Sequence, residues 1–152
     1  MAEQSPVEVR EIEDADFDAV VEVWRLAGVA RPWNDPATDV AFCRKSPHAT
    51  ILVGTTAGRL VATAMVGEDG HRGWVYYVAT RPDLQRGGIG RTMMQAAEDW
   101  LRARGIWKLQ LLVRADNAAA KGFYERLGYH DTGSVCLQKA IGPATVPAKP
   151  PG

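Results

Sequence analysis

A glycine-rich, basic segment contains the residues whose types and spacing most directly suggest chemistry in this sequence. It reads QRGGIG over residues 85–90, and Arg91 follows it at the start of a helical pattern. The first N–H groups of a helix have no partner inside the helix, and the helix dipole adds about half a positive charge there. Glycines let the backbone approach a ligand closely, and no carboxylate competes in the first turn. The segment therefore predicts an anion site, most naturally one for phosphate.

Two better-known phosphate fingerprints do not fit this segment. A P-loop requires a lysine after its last glycine, where this chain has Arg91, and the dinucleotide motif requires a glycine where it has Met93. ATP, GTP and NAD are therefore poor candidates for the ligand. The alternative is a glycine-rich turn in front of an ordinary helix, because a lone glycine motif is weak evidence.

The apolar pattern around this segment predicts the elements that position it. Residues 50–80 form an antiparallel meander, whose turns are Ala57–Gly58 and the sequence DGHRG. The strand, helix and strand over residues 73–114 form a βαβ unit, which should pair in parallel and cross over right-handed. Strands are predicted over residues 7–12, 50–56, 59–68, 73–80, 107–114 and 134–140, and helices over residues 14–27, 37–46, 89–104 and 117–127.

Length and composition are those of one globular domain. A chain of 152 residues with 46% hydrophobic and 24% charged residues can bury a single core. Residues 1–141 are predicted to form this domain, of the α/β class, with a mixed, mainly antiparallel sheet and flanking helices. Residues 142–152 contain four of the nine prolines and are predicted to form a disordered tail.

Charge and cysteine usage exclude several classes of function. The formal net charge of +0 and the isoelectric point near 6.8 give no general attraction to nucleic acid or to anionic membranes. The N-terminus lacks a signal-peptide pattern, and no apolar run approaches the roughly 20 residues of a membrane span. Cys43 and Cys136 stand apart from each other and from any histidine cluster, so no metal site is predicted. The sequence predicts a cytoplasmic protein with free thiols.

Two motifs, taken together, resemble those of the GNAT acetyltransferases. Residues 85–90 fit the family's Q/R-x-x-G-x-G/A pattern. A later pattern, N-x-x-A-x-x-x-Y-E-x-x-G-[FY], begins about thirty residues downstream, with one predicted helix and one strand between them as in that family. The segments RPWNDP and DGHRG further resemble a small bacterial subgroup, the YpeA-like acetyltransferases. The later pattern is matched by Asn117, Ala120, Tyr124, Glu125, Gly128 and Tyr129.

The resemblance implies acetyl-CoA as the donor substrate, and a sheet in which the central pair of strands splays apart. The N–H groups of residues 85–90 would hold the pyrophosphate, helped by Arg86 or Arg91. The strand end over residues 78–80 would pair with the pantetheine arm, and the thioester would lie near Tyr124. The residues implied to contact acetyl-CoA are Val78, Ala79, Thr80, Gln85, Arg86, Gly87, Gly88, Ile89, Gly90, Arg91, Asn117 and Tyr124.

Tyr124 is implied to be the general acid of the reaction. An amine attacks the thioester carbonyl and coenzyme A leaves as a thiolate, to which a phenol of pKa about 10 can give a proton. The N–H groups near Val78 and Ala79 are candidates for stabilising the oxyanion. The alternative for Tyr124 is an aromatic residue of the core, whose hydroxyl must then find another partner.

The strand over residues 73–80 carries no carboxylate, so the general base has several candidates. Glu68, Asp69 and His71 lie in the hairpin before this strand and two tyrosines lie on it, and each could relay a proton through water. We take Glu68 and His71 as the catalytic candidates, and the alternative is that EDGHRG is a solvated polar turn. The missing carboxylate also leaves open a non-catalytic acyl-CoA-binding sensor or regulatory module of the same fold.

The acceptor implied by the resemblance is a primary amine of a small molecule, a peptide or a protein. In the family the connection between the first two helices lines the acceptor side, and here it reads RPWNDP, stiffened by Pro32 and Pro36. The alternative is a rigid turn whose tryptophan fills the edge of the core. Homodimers are common in the family, so the resemblance also allows a homodimer. The residues offered to the acceptor are Arg31, Trp33, Asn34, Asp35 and Tyr77.

Overall fold

The computed structural model describes residues 6–31 and 33–143 of the chain. Within them strands and helices follow one another in nearly the predicted order. Short 3-10 turns at Asp14–Asp16 and Pro82–Leu84 precede two of the helices. The strands are β1 (Glu8–Glu11), β2 (Ala49–Thr56), β3 (Arg59–Glu68), β4 (Gly73–Thr80) and β5 (Leu109–Gln110), and the helices are α1 (Phe17–Leu26), α2 (Pro36–Arg44), α3 (Ile89–Arg102) and α4 (Ala118–Arg126).

The five described strands form one mixed sheet in sequence order. The strands from β1 to β4 pair antiparallel, and β5 pairs in parallel with β4. Within the described residues β5 pairs with β4 only where Gly73 lies opposite Leu109 and Trp74 opposite Gln110, after which β4 continues alone on that side to Thr80. The predicted α/β class is therefore confirmed, together with the parallel unit and the splayed pair of strands.

The sheet separates two hydrophobic clusters. Helix α3 covers one face, joined there by aromatic residues of α4, while α1 and α2 cover the other. Gly73 lies beneath α3, where an added Cβ would clash with the Leu101 side chain, so glycine allows close contact between helix and sheet. None of the described helices is long and apolar enough to cross a bilayer. The buried residues of α3 are Ile89, Met93, Met94, Ala97 and Leu101, and those of α1 are Val20, Val23 and Trp24.

The segment after α4 differs from the prediction. Residues 134–140, predicted as a strand, have no regular structure, and Val135, Leu137 and Ile141 are 81%, 90% and 95% exposed. Alternating apolar residues form a strand only where a neighbour supplies backbone hydrogen bonds, and none of the described strands pairs with this segment. The strand predicted over residues 107–114 is likewise reduced to its centre, β5.

Some predictions fall at the limits of the described residues. Of the predicted tail, Gly142 and Pro143 belong to no helix or strand, and residues 144–152 lie outside the described residues. Pro32, in the predicted acceptor loop, also lies outside them. The assignment of residues 1–141 to a single domain stays a prediction.

Candidate active site

Residues 85–88 of the glycine segment form an exposed loop in front of α3, and Ile89 and Gly90 form the start of that helix. Arg86 and Gly88 both have left-handed backbone conformations, with φ of 72° and 82°. Among the described residues, nothing accepts a hydrogen bond from the N–H groups of Arg86, Gly87 or Gly88. The first turn of α3 contains no acidic residue, and no side chain caps it. The loop therefore presents backbone donors at the positive end of a helix.

The side chains around this loop add positive charge and tie it to the sheet. Arg86 and Arg91 are exposed, and neither makes an ion pair or hydrogen bond within the described residues. The Gln85 amide donates to the carbonyl oxygen of Thr80 at 3.3 Å, which links the loop to the end of β4. With its free N–H groups and two free guanidinium groups, the loop fits a diphosphate.

Two glycines of the segment over residues 85–90 have different roles. A Cβ added to Gly88 would meet nothing within 4 Å, so the residue is defined by its backbone conformation and open surroundings. A Cβ added to Gly90 would lie 3.0 Å from the Phe123 ring of α4. Gly90 therefore allows α3 and α4 to pack closely, a role that its place in the glycine motif did not indicate.

The end of β4 presents backbone groups to the gap on its β5 side. The Arg81 N–H donates to the Val61 carbonyl oxygen at 2.8 Å, so the backbone at Arg81 faces β3. Because backbone polar groups alternate in direction along a strand, those of Ala79 also face β3, while those of Val78 and Thr80 face the gap. An extended arm such as pantetheine could hydrogen-bond there in the manner of an added strand.

Tyr124 lies on α4 and packs against the same cluster as Val78. Its ring meets those of Phe123 and Tyr129 edge to face, at centroid distances of 4.9 and 5.9 Å. No group among the described residues hydrogen-bonds to its hydroxyl, and burial raises the pKa of Tyr124 to about 12. The hydroxyl is therefore protonated at neutral pH and has a donor available for a ligand.

Asn117 has a structural task in addition to the predicted one. Its side-chain oxygen accepts a hydrogen bond from the Ala120 N–H at 3.0 Å and so caps the N-terminus of α4. The oxygen is thereby occupied, and the side-chain NH₂ is the part of Asn117 that could contact acetyl-CoA.

Glu68 and His71 lie in the hairpin between β3 and β4, away from the splayed end of β4. Glu68 contacts the His48 ring at 2.9 Å and accepts a hydrogen bond from the Gly70 N–H at 2.6 Å. Val78 is five residues beyond the start of β4 at Gly73, and at roughly 3.3 Å per residue the separation along the strand is about 16 Å. The structure thus does not bring the two predicted catalytic residues to Val78, and a polar turn accounts for their observed contacts.

The loop between α1 and α2 places the predicted acceptor residues at the surface or in a helix cap. Arg31 and Asn34 are exposed and joined by a backbone turn, in which the Asn34 N–H donates to the Arg31 carbonyl oxygen at 3.0 Å. Asp35 caps α2, accepting from the Ala37 N–H at 3.3 Å. Trp33 is partly buried beside them. Asp35 therefore stabilises α2, and the exposed groups of Arg31 and Asn34 are open to a ligand.

Tyr77 belongs to a network that the sequence did not reveal. Its hydroxyl donates to Asp39 of α2 at 2.5 Å, and its ring stacks on Trp24 of α1 at 3.7 Å. Burial, followed by the hydrogen bond to Asp39, raises the pKa of Tyr77 well above its usual range. Asp39 was missed because nothing local connects it with a tyrosine 38 residues away. Its one signal was its position in the first turn of the helix predicted over residues 37–46, directly after the loop that ends at Pro36.

Comparison with known proteins agrees with the two motifs. The acetyltransferase (GNAT) family model matches residues 8–129. An acetyltransferase of Pectobacterium atrosepticum is 39% identical over 135 residues, which cover 89% of this chain and 96% of that protein. An acetyltransferase of Yersinia enterocolitica is 37% identical over the same shares of both chains.

Solved structures show the same architecture. The ribosomal-protein-S18-alanine N-acetyltransferase from Escherichia coli superposes with a TM-score of 0.71 and 28% identity, covering 81% of this chain and 77% of that one. The structure of AAC(6')-Iy in complex with a bisubstrate analogue has a TM-score of 0.79 and 12% identity, covering 91% of this chain and all of that one. At 12% identity the second likeness concerns the fold alone.

Proposed function

The chain belongs to the GNAT acetyltransferases, which use acetyl-CoA as the acetyl donor, and from this premise we propose that it acetylates a primary amine of a small molecule, peptide or protein. The observation that carries the proposal is the gap beside β4. Unpartnered backbone donors of the glycine loop lie at one end of it, and Val78 at its edge shares an apolar cluster with Tyr124. A narrower assignment to the YpeA-like subgroup is part of the proposal and rests on RPWNDP and DGHRG.

The proposed reaction is direct attack of the neutral amine on the thioester carbonyl carbon. A C–N bond forms, the C–S bond breaks, and the thiolate of coenzyme A takes a proton from the Tyr124 hydroxyl. The attacking nitrogen releases one proton to water, and the Tyr124 phenolate regains one from water, so the protons balance. The Val78 N–H, which faces the gap, stabilises the negative charge that develops on the carbonyl oxygen. Acetyl-CoA supplies the acetyl group, while the loop over residues 85–90, with Arg86 and Arg91, holds its diphosphate and fixes the position of its sulfur.

The acceptor amine must be neutral before it can attack the thioester, and this favours amines of low pKa. A lysine side chain of pKa about 10.4 is neutral in only about one molecule in 2,500 at pH 7, whereas an α-amine of pKa about 7.8 is neutral in roughly one in seven. Because Glu68 and His71 lie at the far end of β4, they are poorly placed to deprotonate the amine directly. We therefore favour acceptors with an amine of low pKa, such as an α-amine.

A thermal shift measurement tests donor binding. A ligand that binds only the folded loop raises the melting temperature by mass action, so acetyl-CoA and coenzyme A should both stabilise the protein. Adenosine, which lacks the diphosphate, should do little. If millimolar coenzyme A gives no shift, the assignment of residues 85–90 to the donor is wrong.

Release of coenzyme A in the presence of a panel of amines tests the transfer itself. The panel should include α-amines, polyamines and peptide N-termini, with acetyl-CoA alone as the control. The exposed thiol of Cys136 gives a fixed background that is subtracted with a protein blank. Thiol release that depends on an amine, with a mass gain of one acetyl group on that amine, supports the proposal. Tight binding of acetyl-CoA without transfer to any amine would favour the non-catalytic module of the same fold.

A further inference from the structure

Tyr77 has a backbone conformation that is unusual for its place in the fold. Three non-glycine residues among those described have positive φ, and two of them, Ala57 and Arg86, lie in turns. Tyr77, with φ of 50°, lies inside β4. The pairing of β3 with β4 shifts register between Thr63 and Met65, opposite this point. A strained residue inside a strand persists only where its surroundings hold it, and such residues concentrate at functional sites.

One set of contacts holds the carbonyl group of Tyr77. The Thr63 hydroxyl donates to this carbonyl oxygen at 2.8 Å and accepts a hydrogen bond from the Trp24 indole N–H at 2.9 Å. Thr63 and Trp24 are both fully buried, so neither hydroxyl nor indole has water as a substitute partner. Two buried side chains, on β3 and α1, therefore form one of the two supports of the Tyr77–Val78 peptide.

The direction of that carbonyl determines the direction of the next N–H group. The peptide bond between Tyr77 and Val78 is trans, and in a trans peptide the C=O and N–H groups point in opposite directions. Because the Tyr77 carbonyl points towards Thr63, the Val78 N–H points away from β3. That is the side on which β4 parts from β5, and on which the proposed function places the thioester.

A second set of contacts holds the side chain of Tyr77. Its ring lies on Trp24 with the planes 7° apart, and its hydroxyl donates to the Asp39 carboxylate. Asp39 is partly buried and forms no ion pair within the described residues. This carboxylate on α2 thus connects the acceptor side of the molecule with the strained residue of β4.

We propose that Asp39 is a positioning residue for acetyl transfer: through the Tyr77 hydroxyl it holds the Tyr77–Val78 peptide so that the Val78 N–H is directed at the thioester oxygen. The inference rests on the proposed function of the gap beside β4. Asp39 itself touches neither the thioester nor the leaving sulfur in this scheme. Without Asp39 the Tyr77–Val78 peptide is held by the Thr63 hydroxyl alone. Tyr77 then relaxes towards an ordinary strand conformation, and the Val78 N–H turns away from the oxygen.

Two substitutions at Asp39 separate positioning from a role of its charge. Asp39→Ala removes the acceptor of the Tyr77 hydrogen bond, and kcat should fall by about tenfold to a hundredfold, the loss expected for a misplaced catalytic group. Asp39→Asn keeps an acceptor oxygen but no charge, and it should retain kcat close to that of the wild type. Asp18→Ala, which removes an exposed acid from the first turn of α1, is the matched control and should leave kcat unchanged. Loss of kcat in Asp39→Asn equal to that in Asp39→Ala would assign the effect to charge and overturn the proposal.

A double-mutant cycle tests whether Asp39 acts through Tyr77. Tyr77→Phe removes the hydroxyl and keeps the ring on Trp24. If the Asp39 carboxylate acts only through the Tyr77 hydroxyl, the variant carrying both Asp39→Ala and Tyr77→Phe should be no slower than either single variant. Losses of kcat that multiply in the double variant would show independent roles and reject the proposal.

A spectroscopic measurement reads the position of the N–H group without turnover. An acetyl-CoA analogue with a methylene in place of the sulfur and ¹³C at the carbonyl can bind without reacting. Its carbonyl resonance should move downfield on binding to the wild type and to Asp39→Asn, and less on binding to Asp39→Ala, with equal affinity in all three. Equal shifts in all three would overturn the inference. Because this test requires binding alone, its result is independent of whether an amine acceptor has been found.

Discussion

The proposed donor half and the proposed acceptor half of the candidate site are built in different ways. On the donor side, backbone N–H groups of consecutive residues line an exposed loop, and free arginines stand beside them. On the acceptor side, side chains from α1, α2, β3 and β4 hold one another through hydrogen bonds and a ring stack. The first half needs only a short segment and a helix end, whereas the second needs the whole domain to be packed. Substitutions in the acceptor half should therefore leave binding of the donor intact. Substitutions in the donor loop should likewise leave the packing of the acceptor half intact.

The largest expected effect concerns Tyr124, the proposed general acid. Tyr124→Phe removes one hydroxyl and keeps the ring, and turnover should fall by roughly 10²-fold or more, the range for a lost general acid. The affinity for coenzyme A should change little, because the proposed diphosphate site is the loop and not Tyr124. Single-turnover rates with a saturating amine measure the loss. The loss should shrink for a thioester whose thiol has a lower pKa, since a better leaving group needs the proton less.

Tyr129 provides the matched control for this substitution. Its ring contacts that of Tyr124, and its buried hydroxyl has no hydrogen-bond partner among the described residues. Tyr129→Phe should leave turnover unchanged and stability equal or slightly higher, because an unsatisfied buried polar group is removed. Wild-type turnover in both Tyr124→Phe and Tyr129→Phe would show that neither hydroxyl takes part in the reaction.

The pH dependence of stability gives a second test of Tyr124. Burial raises its pKa to about 12, above the value near 10 of an unfolded tyrosine. The folded state therefore holds the proton more tightly, and this contribution to stability is complete below pH 10 and lost as the pH rises through about 12. Urea unfolding from pH 8 to pH 11 should show a smaller alkaline loss of stability in Tyr124→Phe than in the wild type. An identical loss in both proteins would mean that this tyrosine is not desolvated.

A substitution at Gly88 tests the donor half alone. Asp and Asn have nearly the same shape and both tolerate the left-handed conformation, and the position has room for either. Gly88→Asp should weaken coenzyme A binding by more than tenfold through repulsion of the diphosphate, while Gly88→Asn should have a much smaller effect. Isothermal titration calorimetry measures both affinities, and circular dichroism checks that both variants fold alike. If both variants weaken coenzyme A binding equally, the effect is steric, and the assignment of a diphosphate site to this loop loses its support.

The difference between the halves also explains what the sequence could predict. The exposed loop in front of α3 was predictable because its glycines, its arginines and the helix start are adjacent in the chain. Asp39 and Thr63 were missed because they meet Tyr77 from 38 and 14 residues away, and no local pattern reports such a meeting. Glu68 and His71 were chosen for their types near the start of a strand, but the length of β4 separates them from its splayed end.

The segment over residues 134–140 shows another limit of local patterns. Its apolar residues alternate as in a strand, yet Leu137 is 90% exposed. Alternation of apolar residues indicates that the side chains suit a strand. A strand also needs the edge of a neighbouring strand to pair with, and the position of that edge depends on the rest of the fold. The fold class was predictable because the first four strands and the parallel unit each follow from neighbouring segments.

Thr63→Val tests the acceptor half and should lower stability. It should also lower kcat, because the Tyr77 carbonyl loses its hydrogen-bond donor. The change keeps the shape of the side chain but leaves the buried Trp24 N–H without an acceptor, which costs about 1–3 kcal/mol. Thr50→Val is the control, because Thr50 is also a buried threonine but makes no side-chain hydrogen bond within the described residues. Urea unfolding should show a clear loss for Thr63→Val and little for Thr50→Val, with coenzyme A affinity preserved in both. A loss of coenzyme A affinity in Thr63→Val would show that the two halves are coupled, and the claim that they are built independently would be wrong.

The smallest expected effect concerns the two free arginines of the donor half. Exposed charges contribute about 0–1 kcal/mol each, so Arg86→Gln and Arg91→Gln should each weaken coenzyme A binding by no more than about fivefold. The stronger test is salt, because screening acts on exposed charges and hardly on buried hydrogen bonds. Raising the salt concentration should weaken binding to the wild type more than binding to the variant carrying both substitutions. Arg25→Gln changes an exposed arginine on α1 that pairs with Glu22, and this variant should keep the salt dependence of the wild type.

The same salt series should leave kcat unchanged at saturating substrates, because the contacts that hold Tyr77 are packed inside the acceptor half. If salt lowers kcat as strongly as it lowers affinity, long-range charge acts on both halves, and the contrast between an electrostatic donor site and a packed acceptor site is wrong.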